Sequence, residues 1–365
     1  MNTGIKKRYE HIDYTKGMGI LLIMLAHVIQ NFGPMQGVNS FVRAFHVPVF
    51  FIASGYLFAY RYIEVNGIQD RDISFSKIDI GQYIKKRAKV LLIPYVIFSL
   101  FNSLLKFAVL YITGGLNKDA INDELVQLLI TGNGTVWFLT TLFLTECLVV
   151  SLYSIIEKRI KRDNKSGYIY ITLLAVVFLI CIVIPFYICN ENSPAMIILV
   201  RVMMALGYYV LGVLFNWKFV VYRHIRSIWC AIALVLLGTA TWIIVGCDID
   251  FFNGHFTNPV GSILSSILLS FGTIILLYNL EKSNVLVYIT KMLGYFGKNS
   301  IIAMLVHPTV LLCITFPLGG WMSSLVGARA CIVSIVIFTL LAAAEVPFIW
   351  FINKYVPFII GKRRP

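Results

Sequence analysis

The stretch "HIDYTKGMGILLIMLAHV" (His11–Val28) opens as a polar tail and becomes the start of a membrane helix. It carries Lys16 at its entrance and His27 deep inside, where apolar side chains cost less. In an α-helix, eleven residues turn through about 1100°, about 20° past three full turns, and rise about 16 Å. Lys16 and His27 therefore share one face, one at the membrane boundary and one near its middle. Asp13 joins that face if the helix extends back to it. Ionisable groups inside a span are functional candidates by default. The plainer alternative is a histidine that bonds one helix to the next.

The rest of the chain fits a membrane setting. Of its 365 residues, 59% are hydrophobic and 13% charged, and the mean hydropathy is +0.82. Soluble domains carry about a quarter charged residues. A span needs about 20 apolar residues, and ten stretches qualify: 16–33, 41–60, 89–112, 135–156, 168–189, 195–215, 227–246, 259–280, 299–317 and 328–352. The expected fold is an all-α membrane protein, a bundle of about ten transmembrane helices. One domain fills residues 1–365, with an N-terminal tail at 1–15, a basic loop at 61–88 and a C-terminal tail at 353–365. No cleavable leader, internal repeat or appended soluble domain is expected. The seven cysteines form no CxxC pair and read as small apolar residues of helices. No metal site is expected.

The net charge of +14 does not point to nucleic acid, because the chain has no basic, aromatic-interleaved soluble domain. Instead, 26 of the 31 Lys and Arg residues fall in alternate loops and the two tails. By the positive-inside rule both termini are cytoplasmic, and the even span count agrees. The opposite loops lean acidic, with Asp119, Asp123, Glu124, Glu191, Asp248 and Asp250.

Further polar residues lie within the spans. Glu146 sits half-way along the fourth and His307 half-way along the ninth. His46 and Arg201 enter from the outer side, Trp137 stands at interface depth, and Glu345 lies toward the inner end of the last span. Each also has a structural reading: interhelical bonding for His307 and Glu146, snorkelling for Arg201, an aromatic belt for Trp137. The stretch "YIKKRAKVLLIPY" (Tyr83–Tyr95) sets Lys85, Lys86, Arg87 and Lys89 before an apolar run. It suits a topogenic cluster beside lipid headgroups, or a site for a phosphate-bearing ligand.

Taken together, these elements resemble the acyltransferase-3 family of integral-membrane acyltransferases. The family's hallmark is a Lys or Arg, ten residues, then a His on the first helix, with an Asp shortly before. Asp13, Lys16 and His27 fit it here. "FHVPVFFIASGY" (Phe45–Tyr56), the basic run before Leu-Leu-Ile-Pro-Tyr, "WFL" (Trp137–Leu139) and "GKNSIIAMLVH" (Gly297–His307) follow in the expected order. One departure stands out: many members have two arginines three apart in the basic run, whereas here Arg87 is followed at that position by Val90, with Lys89 beside it.

The resemblance implies transfer of an acyl group, commonly acetyl, from cytoplasmic acyl-CoA to a sugar hydroxyl. The acceptor class is surface polysaccharide, exopolysaccharide or lipid-linked sugar, and the setting a bacterial cytoplasmic membrane. Succinyl is a donor choice beside acetyl, and an amine an acceptor choice beside a hydroxyl. The expected catalytic residues are His27, as base or transient acyl carrier, with Asp13 or Glu146 orienting it. The expected CoA-binding residues are Lys16, Lys86, Arg87 and Lys89. His46, Trp137, Arg201 and His307 are expected to line the acceptor's approach. A transporter or flippase for a glycan or small anion is the alternative, although such proteins often carry repeats.

Overall fold

The apolar runs form helices whose ends are set by the polar residues beside them. The structure is a computed structural model describing residues 9–30, 32, 35–65, 73–163, 167–188, 193–221, 223–283 and 286–362. In chain order its helices are α1 (Glu10–Ile29), α2 (Gln36–Arg43), α3 (Pro48–Tyr62), α4 (Ile80–Ile112), α5 (Lys118–Val126), α6 (Trp137–Asp163) and α7 (Gly167–Ile188). There follow α8 (Pro194–Val221), α9 (Ile228–Val245), α10 (Pro259–Ser283), α11 (Val287–Lys298), α12 (Ser300–Thr315), α13 (Gly319–Ser323) and α14 (Gly327–Tyr355). Two antiparallel hairpins interrupt them: β1 (Ile63–Val65) with β2 (Ile73–Phe75), and β3 (Asp248–Asp250) with β4 (His255–Thr257). Among the described residues, nine helical stretches are long and apolar enough to cross a membrane, and α7 adds a shorter apolar core at Thr172–Pro185. The chain is an all-α, multi-pass membrane bundle.

Several boundaries differ from the sequence reading. Helix α1 begins at Glu10, not residue 16, so Asp13 is helical and lies one turn before Lys16. The second span is broken: α2 ends at Arg43, and α3 starts at Pro48, a residue suited to a helix's first turn because it has no N–H to leave unpaired. The basic stretch is helix rather than loop. The Asp79 side chain accepts the Gln82 N–H at 3.0 Å and starts α4 there, so Lys85, Lys86, Arg87 and Lys89 ride on its first turns. Helix α11 was not anticipated. Lys6, Lys7, Arg8, Arg71, Lys165, Arg363 and Arg364, all part of the charge count, and Glu191 of the acidic loops lie outside the described residues.

The start of α1 shares one face of the bundle with the ends of α3, α10 and α14. Tyr9 packs on Tyr60 with ring centres 4.4 Å apart, and His11 Nδ1 lies 2.8 Å from Glu281. After α14, the 3₁₀ turn Pro357–Ile360 docks on α4, where Gly361 meets the Lys89 carbonyl. We call this the terminal face and its opposite the distal face. On the flanks, Leu100 and Leu104 of α4, Leu236 and Ile243 of α9, and Ile332 and Ile335 of α14 are exposed, the apolar surface a membrane bundle presents to lipid.

Two helix crossings set the interior. Gly17 of α1 lies against the Leu293 carbonyl of α11, and Gly297 of α11 lies against the Asp13 carbonyl of α1. Likewise Gly55 of α3 meets the Tyr209 carbonyl of α8, and Gly212 of α8 meets the Ile52 carbonyl of α3. In lipid the apolar surroundings give no drive to associate, so small residues that let backbones touch supply the packing. Adding a Cβ at Gly55 or Gly212 should therefore cost about 1–3 kcal/mol. Gly55→Ala and Gly212→Ala are expected to lower the thermal unfolding midpoint in detergent, while Gly37→Ala, which meets nothing within 4 Å, should not.

Candidate active site

Lys16 faces a small cavity near the terminal face, of about 160 Å³, lined also by Ser54, Arg61, Tyr62, Tyr83, Arg87, Glu146 and Tyr209. Five helices contribute: α1, α3, α4, α6 and α8. Arg87 and Glu146 form a fork-on-fork ion pair, with Arg87 Nη2 donating to Glu146 Oε1 at 2.6 Å and Nε donating to Oε2. Glu146 is buried and Arg87 half-buried. A buried carboxylate needs such a partner to remain charged. One anion faces three cations here, Lys16, Arg61 and Arg87, so the cavity has an excess of positive charge and three phenolic hydroxyls.

His27 faces a second cavity, toward the distal face, of about 460 Å³. Its wall includes Gln30, Asn39, Arg43, His46, Gly134, Thr135, Trp137, Pro308 and residues 249–252 of the β3–β4 hairpin. The Gln30 amide lies 3.3 Å from His27 Nδ1. His46 Nδ1 donates to the Val42 carbonyl at 2.8 Å. Trp137 stacks on Phe251 with ring centres 6.4 Å apart and planes 20° from parallel. Arg43 holds the hairpin through Asp248 and Asp250, each at 3.4 Å.

Arg201 and His307 stand behind this wall rather than in it. Arg201 is buried, its guanidinium lying over the Trp137 and Phe252 rings. Its Nε donates to the Phe252 carbonyl at 2.7 Å, which fixes the hairpin from the inside. His307 is fully buried, with its ring centre 5.2 Å from that of His27. The proline after it removes the N–H that would pair with the Met304 carbonyl. Thr135, from the loop before α6, donates its hydroxyl to that carbonyl at 2.7 Å.

The same loop is anchored from α4 and α5. Asn133 Nδ2 donates to the Ser99 carbonyl, to Ser103 Oγ and to Glu124 Oε1 at 2.8–3.0 Å. Lys106 pairs with Glu124 at 2.6 Å. Burial opposes ionisation of Glu124, but hydrogen bonds from Lys106, Ser103 and Asn133 outweigh it and hold its carboxyl below the usual range.

The structure thus brings together Lys16, Arg87 and Glu146 in one cavity, and His27, His46 and Trp137 in the other. Glu146 belongs with Arg87, not with His27. Asp13 lines neither cavity, and Lys86 and Lys89 are exposed on α4 outside them. Arg61, Tyr62, Tyr83, Tyr209, Gln30, Arg43 and Asp250 were missed as site residues. Three signals pointed to some of them: Gln30 follows His27 by three on the same face, Tyr83 precedes Arg87 by four, and Asn253-Gly254 marks a hairpin turn. Among the described residues no group of three or more His, Cys, Asp or Glu is placed to hold a metal ion.

Residues 9–353 match the acyltransferase-3 family, described as an acyltransferase domain. The chain belongs to this family of membrane acyltransferases. Neither the curated proteins nor the solved structures give a match.

Two stability predictions follow from these pairs. Arg87→Met strands a buried carboxylate and should cost about 3–5 kcal/mol. Adding Glu146→Leu should recover part of that loss, read as the unfolding midpoint of the double variant against the single one. Glu124, with its folded-state pKa depressed, contributes stability above the ordinary carboxylate range, and that contribution is lost as pH falls through the folded value. The midpoint difference between wild type and Glu124→Gln should be largest near neutral pH and close with acidification.

Proposed function

We propose that the protein transfers an acyl group from cytoplasmic acyl-CoA, acetyl-CoA in the first instance, to a hydroxyl of a surface polysaccharide or lipid-linked sugar. The observation that carries this reading is the placing of two polar cavities along one helix: Lys16 faces the first, and His27, eleven residues on, faces the second. Their separation of about 16 Å along α1 suits the long, slim pantetheine arm. The terminal face is then cytoplasmic, in agreement with the basic loops, and the protein sits in the plasma membrane of a bacterium.

The terminal cavity is too small for the whole of CoA. Its cations, Lys16, Arg61 and Arg87, suit phosphate oxygens at the mouth, with exposed Lys86 and Lys89 adding charge outside. Glu146 holds the Arg87 fork in place before the donor arrives. In the distal cavity a neutral His27 takes the proton of the acceptor hydroxyl, whose oxygen attacks the thioester carbon. The C–O bond forms, the C–S bond breaks, and the proton passes to the CoA sulfur. Trp137 and Phe251 offer flat apolar faces to a sugar ring, while Asn39, His46, Arg43 and Asp250 offer partners for its hydroxyls.

The test is release of CoA from radiolabelled acetyl-CoA by purified protein, given a lipid-linked or free oligosaccharide. His27→Ala should lower kcat by at least about 100-fold with the protein still folded. Lys16→Met should raise the KM for acetyl-CoA by about tenfold, the loss of one charge-assisted contact. Full activity in His27→Ala would rule the mechanism out, and acceptor movement without CoA consumption would indicate a transporter.

A further inference from the structure

Near His27, His307 offers a nitrogen that is buried, unpartnered and fixed as an acceptor. Its Nδ1 lies 2.9 Å from the Ala303 carbonyl, a contact that only an N–H can make, so Nδ1 carries the proton. Nε2 therefore bears a lone pair, and it has no hydrogen-bond partner although the side chain is fully buried. A buried polar atom left without a partner is costly and calls for an explanation.

The neighbouring ring supplies one. Ring nitrogens stand about 1.2 Å from an imidazole's centre, so rings with centres 5.2 Å apart are within range of an N–H···N bond of about 2.9 Å once the His27 ring turns to aim a nitrogen at the fixed His307 ring. His27 meets the Gln30 amide through Nδ1, and Gln30 lines the distal cavity. Among the described residues no carboxylate lines that cavity except Asp250, which Asn253 of the hairpin and Arg43 of α2 already engage.

We propose that His307 is the positioning residue of the catalytic histidine: its Nε2 accepts an N–H from His27 while the other His27 nitrogen takes the acceptor's proton. The inference rests on the reading of His27 as the base. It assigns to a neutral imidazole the orienting role that Asp13 or Glu146 was expected to fill. His307 gains no proton over the cycle. It fixes which His27 nitrogen carries hydrogen in the resting state, and it shares the charge when both do.

The chemistry of the amides provides the test. Asparagine places its amide near the Nδ1 position, keeping the bond to Ala303 but offering nothing at the ε position. Glutamine reaches the ε position and can present an oxygen there. With radiolabelled acetyl-CoA and octyl glucoside as a sugar-headed acceptor, His307→Asn should lower kcat about 100-fold with both KM values within about twofold. His307→Gln should restore kcat to within about tenfold of wild type. Equal unfolding midpoints for the two variants separate this pattern from a packing defect. Wild-type kcat in His307→Asn, with His27→Ala inactive, would overturn the pairing alone. Equal losses in the Asn and Gln variants would overturn it too, and an active His27→Ala would overturn the functional reading with it.

Discussion

The arrangement depends on backbones that touch. At Gly17 and Gly297, and again at Gly55 and Gly212, each glycine lies against a carbonyl of the partner helix. The pairing is reciprocal, so neither helix can shift along the other without driving backbone into backbone. Helix α1, which carries Lys16 and His27, is thereby fixed against α11. Helix α3, which carries Ser54 and Arg61 and begins just after His46, is fixed against α8. Positions on α1 and α3 are set by main chain, not by flexible side chains, and a site built on such elements keeps its geometry.

That rigidity lets one helix serve two compartments. The terminal cavity is strongly polar, with a pre-formed Arg87–Glu146 fork that neutralises one of its cations. The distal cavity is larger and walled by aromatic rings, with its polar groups spaced around the rim. On the proposed function, charge recognition and chemistry are kept apart by the length of α1, so neither has to be compromised for the other. The β3–β4 hairpin walls the distal cavity, and the two arginines that hold it, Arg43 and Arg201, grip its first strand and the turn after it.

Much of the fold was legible because hydropathy and helical geometry are local properties. Nine of the ten expected spans each correspond to a single helix and the second is split between α2 and α3, and the common face of Lys16 and His27 follows from their spacing alone. What was not legible depends on long-range pairing. Arg87 and Glu146 are 59 residues apart, and nothing local to either announces the other. The start of α4 was misplaced because a single capping aspartate outweighed the basic residues that suggested a loop. Glu146, half-way along its span, was free by sequence to meet His27, and only the packing of α4 on α6 sends it to Arg87 instead. Arg201 was legible as a buried cation, but its ring contacts and its hold on the Phe252 carbonyl come from elements more than fifty residues away.

Pro308 leaves α12 short of one internal bond, and the gap is bridged from outside by Thr135. A proline in a helix is ordinarily a point of bending, because the ladder is broken there. Here the pin of that hinge belongs to a different part of the chain, the loop that also forms the cavity wall. Bending α12 beside His307 would therefore mean parting a bond to the cavity wall as well, so the helix and the loop brace each other at the one place where the helix is weakest.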